Sequence, residues 1–235
     1  CSTPSASVDD TKAAESGSDS SQSAAAGEKI FRYSNLADIA TIDPDKTNSV
    51  ADATVSYHIY DGLYRNVQGE LQPATAESYE VSDDGLVYTF KLRQDTKWSD
   101  GQTVTAKDYE YGMKRLCDPA AACPASYLGA VLKNGAKVSS GELSVDELGV
   151  KALDDFTLEI TLENPADYFV SMTSMSAFMP VREDLVEKYG NEFGGSADKQ
   201  VYNGPFVVSE YSNGQVELTK NPDYYDNEKI SLDGV

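Results

Sequence analysis

Few side chains of this 235-residue chain could do covalent or metal chemistry: three cysteines, a single histidine and an excess of carboxylates. Cys1 stands alone at the start. Cys117 and Cys123 flank the stretch DPAAA. That spacing is not a zinc signature, because zinc sites take four ligands and His58 is the only histidine. It suits a short disulfide closing a loop in an oxidising compartment; the competing reading is two free thiols. His58 sits one position before Ile59 on a helical stripe, the place of a packed or solvated histidine and not of a catalytic one. No G-x-S-x-G, H-E-x-x-H or P-loop occurs. Carboxylates are plentiful enough for a glycosidase-like pair, yet abundance places no two of them together. The stretch DPDKTN at 43–48 has acidic spacing but lacks the glycine and the closing glutamate of a calcium loop. The residues therefore imply no enzyme, no cofactor and no metal site.

Charge narrows the partners. The net charge is −20; the stretch through Gly27 carries −3 of it, leaving −17 on the remainder. Such a surface repels phosphate backbones and excludes nucleic acid as a partner. It also argues against bare electrostatic docking on anionic lipid. Solubility explains the charge; a mild bias toward cationic ligands is the sharper reading. With 40% hydrophobic residues and no long apolar run, the chain has no transmembrane helix.

The elements that would position any site are read from periodicity. KIFRYSN predicts a first strand. Val55, Ile59 and Leu63 form one helical stripe, predicting a helix that ends near Gly62. Leu86, Tyr88, Phe90 and Leu92 alternate with Val87, Thr89, Lys91 and Arg93, a strand entered through the Asp84-Gly85 turn. Trp98 is expected to plug a small core beneath this hairpin, next to a second turn at 99–101. Thr105, with Asp108 three residues later, opens a helix whose stripe is Tyr109, Met113 and Leu116; Pro119 ends it. A second hairpin follows with Phe156, Leu158, Ile160 and Leu162 on one face. REDLVEKYG is a short helix ended by Gly190. A third hairpin turns at Asn213-Gly214. Antiparallel hairpins set between helices make an α/β or α+β architecture.

Residues 2–27 hold Ser, Ala, Asp, Gly and Thr with almost nothing apolar, too little to offset the entropy of ordering. A chain that opens on Cys and continues through a Ser-rich spacer resembles a processed bacterial lipoprotein, its signal peptide removed and its thiol carrying diacylglycerol. Two acyl chains, at about 0.8 kcal/mol per buried methylene, anchor stably where one holds marginally. Residues 1–28 would then be a tether. The plain alternative is that the chain simply begins at this cysteine.

Four ordered stretches resemble the oligopeptide- and dipeptide-binding proteins of ABC importers, the family 5 extracellular solute-binding proteins. They are IDPDKTNSVADATVSYHIYDGLYR, LQPATAESYEVSDDGLVYTFKLRQDTKWSDGQTVTAKDYEYGMKRLCDP, LGVKALDDFTLEITLENPADYF and NGPFVVSEYSNGQVELTKNPDYYDN. The likeness runs from about Lys29 to the end. It implies a type II periplasmic-binding fold, whose two lobes close on an extended peptide. This chain would be lobe I, with residues 29–60 and 182–235 as its core, 61–181 as an inserted hairpin-rich α+β subdomain, and the second lobe absent. The ligand's backbone would pair with protein backbone, as in strand addition. Carried over by position, the lobe I edge falls at Thr47, Asn48, Ser49 and Val50. The family's tyrosine after the Cys-Pro step falls at Ala125, and Tyr127 is the aromatic that stands near it. Asn203 and Gly204 begin the third hairpin near the expected hinge, where turn chemistry is the competing reading. The implied partners are a peptide ligand, an ABC permease and its ATPase, and the membrane through the lipid, which places the protein outside the cytoplasm. A lipoprotein lobe kept for adhesion or sensing is the alternative from a different class.

Overall fold

The structure, a computed structural model, describes residues 27–35 and 37–235; Cys1 and most of the expected tether lie outside them. Helix α1 (Val50–Ile59) begins at Ser49, whose hydroxyl accepts the Asp52 N–H at 3.1 Å. Two hairpin strands follow, β1 (Tyr64–Val67) and β2 (Glu70–Pro73), turning on Gln68 and Gly69, both at positive φ. Next come β3 (Ala76–Val81), β4 (Val87–Leu92), α2 (Ala106–Cys117), a 3-10 turn at Ser126–Val131 and the short α3 (Gly135–Ser139). The chain continues through β5 (Val150–Asp154), β6 (Thr157–Thr161), α4 (Phe169–Met172) and α5 (Glu183–Tyr189) to a last hairpin, β7 (Phe206–Ser212) and β8 (Gln215–Lys220).

The central sheet is antiparallel, in the order β3-β4-β6-β5. Its register sets Phe90 against Leu158 and Tyr88 against Ile160. The alternation read from the sequence thus puts Tyr88, Phe90 and Leu92 on one buried face with Leu158 and Ile160. Helix α2 packs beside β5 and β6 and turns Tyr109, Met113 and Leu116 fully inward. Its Gly112 admits the Met179–Val181 segment: an added Cβ would lie 2.7 Å from the Met179 carbonyl oxygen. Phe169 and Phe178 extend the core edge-to-face from Tyr88, a geometry that adds about 1 kcal/mol per pair to area burial. Trp98 is buried as expected and its indole N–H donates to Asp108 Oδ2 at 3.1 Å, while Asp108 also accepts the Thr105 N–H at 2.8 Å.

Helix α1 and the first strand differ from the sequence expectation, and the β1–β2 hairpin has no counterpart in it. Helix α1 stops at Ile59, not near Gly62, because the next peptide groups are claimed from elsewhere. The Asp61 N–H donates to Asn203 Oδ1 at 3.0 Å, and its carbonyl accepts from Asn203 Nδ2 at 3.1 Å and from the Tyr109 hydroxyl at 2.8 Å. Leu63 still reaches the core, but from a bend just before β1. The predicted first strand is reduced to one parallel bridge, Ile30 to Gly234, since an extended segment counts as a strand only where a neighbour satisfies its backbone.

Candidate functional site

The residues from Asp43 to Val50 form a shelf leading into α1. Asp43 caps a 3-10 turn (Pro44–Lys46) by accepting the Asp45 N–H at 3.1 Å. Beyond it the backbone is extended at Ser49, with φ −138° and ψ 162°. Asn48, Ser49 and Val50 are exposed, Val50 to 85%. No hydrogen bond among the described residues uses the Asn48 carbonyl or the Ser49 N–H. These two groups lie on opposite sides of one trans peptide, each open to a single hydrogen-bonding partner, while the Asn48 N–H donates to Asp52 Oδ2 at 3.3 Å and the Val50 carbonyl accepts the Thr54 hydroxyl at 2.7 Å. Thr47 is the exception in the expected quartet. It is buried, its hydroxyl donates to the Pro44 carbonyl at 3.1 Å and lies 3.0 Å from the Ser176 hydroxyl, so it fastens the shelf instead of facing outward.

Two other segments meet the shelf. Ser176, bound to Thr47, follows the partly exposed Met175. Lys46 reaches the Ala121 carbonyl and lies 3.4 Å from that of Ala122. It thereby holds the loop that runs on to Tyr127, which is 72% exposed. The structure therefore ties the shelf, through Lys46, to the Ala121–Ala122 stretch that precedes the turn carrying Tyr127. It separates Asn203 and Gly204 from them, at the opposite end of α1, about 15 Å away for ten helical residues. Both are buried in joinery. Asn203 is spent on Asp61, Gly204 donates to the Ile59 carbonyl at 2.9 Å, and a Cβ there would lie 2.5 Å from the Ile59 carbonyl carbon. Asn203 and Gly204, expected at the site, thus make structural contacts with the end of α1.

Beneath the shelf lies a charge cluster that sequence reasoning missed. Arg115 on α2 grips Asp43 with both terminal nitrogens, at 2.8 and 2.6 Å, and Asp45 with one, at 2.8 Å. The Phe193 ring covers the guanidinium at 5.4 Å. Both carboxylates are about 1% exposed, and Asp45 Oδ1 has no partner among the described residues. Burial pushes the Asp45 carboxyl up to about 7 against the pull of Arg115, with Asp43 adding repulsion. For Arg115 burial opposes the charge, but hydrogen bonding to Asp43 and attraction from both carboxylates prevail and raise its pKa. The acidic spacing of DPDKTN is therefore spent on an arginine, and no cluster suited to a metal ion exists among the described residues.

A second polar hub joins the chain's last stretch to the fold. Asp61, 1% exposed, pairs with Arg65 and accepts the hydroxyls of Tyr224 at 2.7 Å and Tyr225 at 3.0 Å. The two cysteines do not form the expected bridge: Cys117 and Cys123 are free, buried thiols. Cys117 Sγ rests on Gly129, where a Cβ would come within 2.2 Å, and Cys123 Sγ points to the Arg115 carbonyl at 3.5 Å. Burial raises Cys117 to about 11 and Cys123 to about 12, which makes both poor nucleophiles. His58 bonds the Thr54 carbonyl of its own helix at 2.7 Å and packs against Tyr33 and Phe206.

The chain thus presents an exposed shelf braced by buried charge, with its thiols and its histidine held in packing. Comparison with known proteins assigns its class. Residues 70–235 match the sequence model of the bacterial extracellular solute-binding proteins, family 5 Middle. The chain belongs to this family, and its mixed α/β architecture is part of a lobe of the periplasmic-binding fold. It is 38% identical over 214 residues to a probable deoxycholate-binding periplasmic protein of Escherichia coli, covering 89% of this chain and 40% of that one. The substrate-binding domain of an oligopeptide ABC transporter from Bacillus anthracis superposes with a TM-score of 0.86 at 38% identity, over 89% of this chain and 41% of the other. OppA of Listeria monocytogenes, solved bound to peptide, gives 0.85 at 36% identity, over 88% and 42%. The chain spans about 40% of the length of the curated relatives it matches.

Proposed function

We propose that this chain supplies one wall of the cleft of an ABC importer's solute-binding protein, capturing peptides outside the cytoplasm and delivering them to a permease driven by its ATPase. The observation that carries the reading is the exposed Asn48–Val50 stretch, with the Asn48 carbonyl and the Ser49 N–H unpaired among the described residues, in a chain that superposes on a peptide-bound OppA. Main-chain pairing is common to every peptide, so such a shelf needs no reactive side chain and tolerates varied cargo. The 29–60 and 182–235 stretches would be the lobe core and 61–181 its inserted subdomain; the four-stranded sheet and α2 fall wholly within the latter. Cys1 would carry the lipid that keeps the protein at the membrane.

Equilibrium dialysis against labelled tripeptides to pentapeptides, with deoxycholate in parallel, tests the reading. Val50→Arg alters the shelf at a residue 85% exposed, so folding should be unchanged while peptide affinity falls at least about tenfold, roughly 1.4 kcal/mol. Peptide binding indifferent to Val50→Arg, or deoxycholate bound in place of peptide, would reject it. Mass spectrometry of the native N-terminal peptide tests the anchor: a thiol at Cys1 without lipid rejects that part.

A further inference from the structure

The turn that leads into the shelf buries more negative charge than it can neutralise. Asp43 and Asp45 share the single guanidinium of Arg115, while Lys46 points its ammonium at the Ala121 carbonyl. Asp43 has no open oxygen. Its Oδ1 accepts from Arg115 Nη1 at 2.8 Å and from the Asp45 N–H at 3.1 Å, and its Oδ2 accepts from Arg115 Nη2 at 2.6 Å. Asp45 has one. Its Oδ2 accepts from the same Nη1 at 2.8 Å, but its buried Oδ1 meets no donor among the described residues. The cluster is closed over: Phe193 covers the guanidinium, and Gly194 lies against Asp43 with no room for a Cβ. A buried anionic oxygen without a donor is costly, and a proton removes the charge. Asp45 Oδ1 is the place for that proton, in keeping with burial pushing this carboxyl up to about 7.

The same turn sets the position of the shelf. The Lys46 N–H closes on the Asp43 carbonyl at 3.1 Å, and the Thr47 hydroxyl donates to the Pro44 carbonyl at 3.1 Å while meeting Ser176 at 3.0 Å. Asn48 and Ser49 follow directly. If Asp45 ionises, its carboxylate stands opposite that of Asp43 across one guanidinium nitrogen, and like charges in a dry site repel strongly. The turn can relieve this only by moving, and Thr47 and the shelf move with it.

We propose that a proton on Asp45 Oδ1 holds the shelf in its binding position, and that loss of this proton displaces the shelf and weakens peptide binding. Asp45 is then a positioning residue that touches no peptide. The coupling stands on the turn; only its consequence for cargo rests on the reading of the shelf as a peptide-binding wall. Besides Asp43 and Lys46 on its own turn, Asp45 faces Arg115, Tyr111 and Cys117 of α2, Cys123 of the following loop and Tyr60 beyond α1. Burial raises both tyrosines and both thiols and keeps them neutral near pH 7. Phe193 and Ser176, from the remaining neighbours, carry no charge. Peptide favours the protonated form, so binding takes up a proton and affinity falls as pH rises through about 7.

The test follows the amide shifts of the labelled 235-residue chain by NMR from about pH 5.5 to about pH 8.5, alone and with acetyl-trialanine amide, a probe with no titrating group. The amides of Thr47–Val50 and Ser176 are expected to titrate together with one midpoint near pH 7 and to be flat in Asp45→Asn. His58→Gln removes the only histidine and should leave the titration in place. Affinity for the probe is expected to fall at least about threefold across the range in the parent and to stay constant in Asp45→Asn. Shelf amides that are flat in the parent, that still titrate in Asp45→Asn, or that stop titrating in His58→Gln overturn the proposal, as does a probe affinity independent of pH. A probe bound at no pH refutes the peptide reading of the shelf, and the amide titration of the free chain still decides the coupling.

Discussion

Asp45 is the most informative single position in the charge cluster under the shelf. Two buried carboxylates share one guanidinium, and one oxygen of Asp45 is left without a partner. Lys46, Tyr60, Tyr111, Cys117 and Cys123 also face it; of these only the lysine opposes its negative charge. With its carboxyl pushed up to about 7 by burial, the folded protein holds a proton that the unfolded chain releases near pH 4. The stabilisation from that proton is complete below about pH 4 and is lost as pH rises through about 7. Asp45→Asn removes the titration. Its stability relative to the parent should therefore grow by about 2–3 kcal/mol between about pH 5 and pH 8, whatever constant offset the amide introduces. Urea unfolding of both proteins at several pH values gives the difference directly. A difference that does not change with pH would mean that Asp45 is ionised in the folded protein throughout, and the reasoning about burial against a shared arginine would fail.

Other perturbations separate the supports of the site. Arg115→Met strands two buried carboxylates and should destabilise the fold by about 3–5 kcal/mol in urea. Asp61→Ala leaves the Tyr224 and Tyr225 hydroxyls without their acceptor and should cost about 3 kcal/mol in the same assay. Gly204→Ala drives a Cβ into the Ile59–Tyr60 peptide and should cost about 1–3 kcal/mol, with no separate effect on ligand affinity, since Gly204 is far from the shelf. Cys117 and Cys123 should resist a thiol reagent in the native protein near pH 8 and react together on unfolding; rapid labelling of either in the native state would contradict their burial.

What was legible in the sequence followed period and turn chemistry. The alternation from Leu86 to Leu92, the Asn213-Gly214 turn, the Thr105–Asp108 start of α2 and the stop at Gly190 are local rules, and the structure keeps them. Failures came where a distant partner decided. Nothing near Asp61 announces that Asn203, 142 residues away, will take its peptide group and end α1. The ring of Asp43, Asp45 and Arg115 spans 70 and 72 residues and has no local signature. The β1–β2 hairpin was hidden because Leu63 continues the helical stripe of α1 up to Tyr64, the first residue of β1. One signal was available and overlooked: Ser49 followed by Asp52 is a capping pattern, and it fixes where the exposed shelf ends and α1 begins. The shelf itself was reachable only through resemblance, because open backbone carries no residue type.

The central claim is that Asn48, Ser49 and Val50 meet the ligand. NMR titration of the labelled 235-residue chain with trialanine tests it most directly. The account predicts weak, saturable shifts centred on Asn48–Val50 and the neighbouring Met175–Ser176, with a Kd of about 1 mM, roughly half the free energy of a micromolar complex gripped from both sides. Shifts confined to other surfaces, or none at these residues at high peptide concentration, would contradict it.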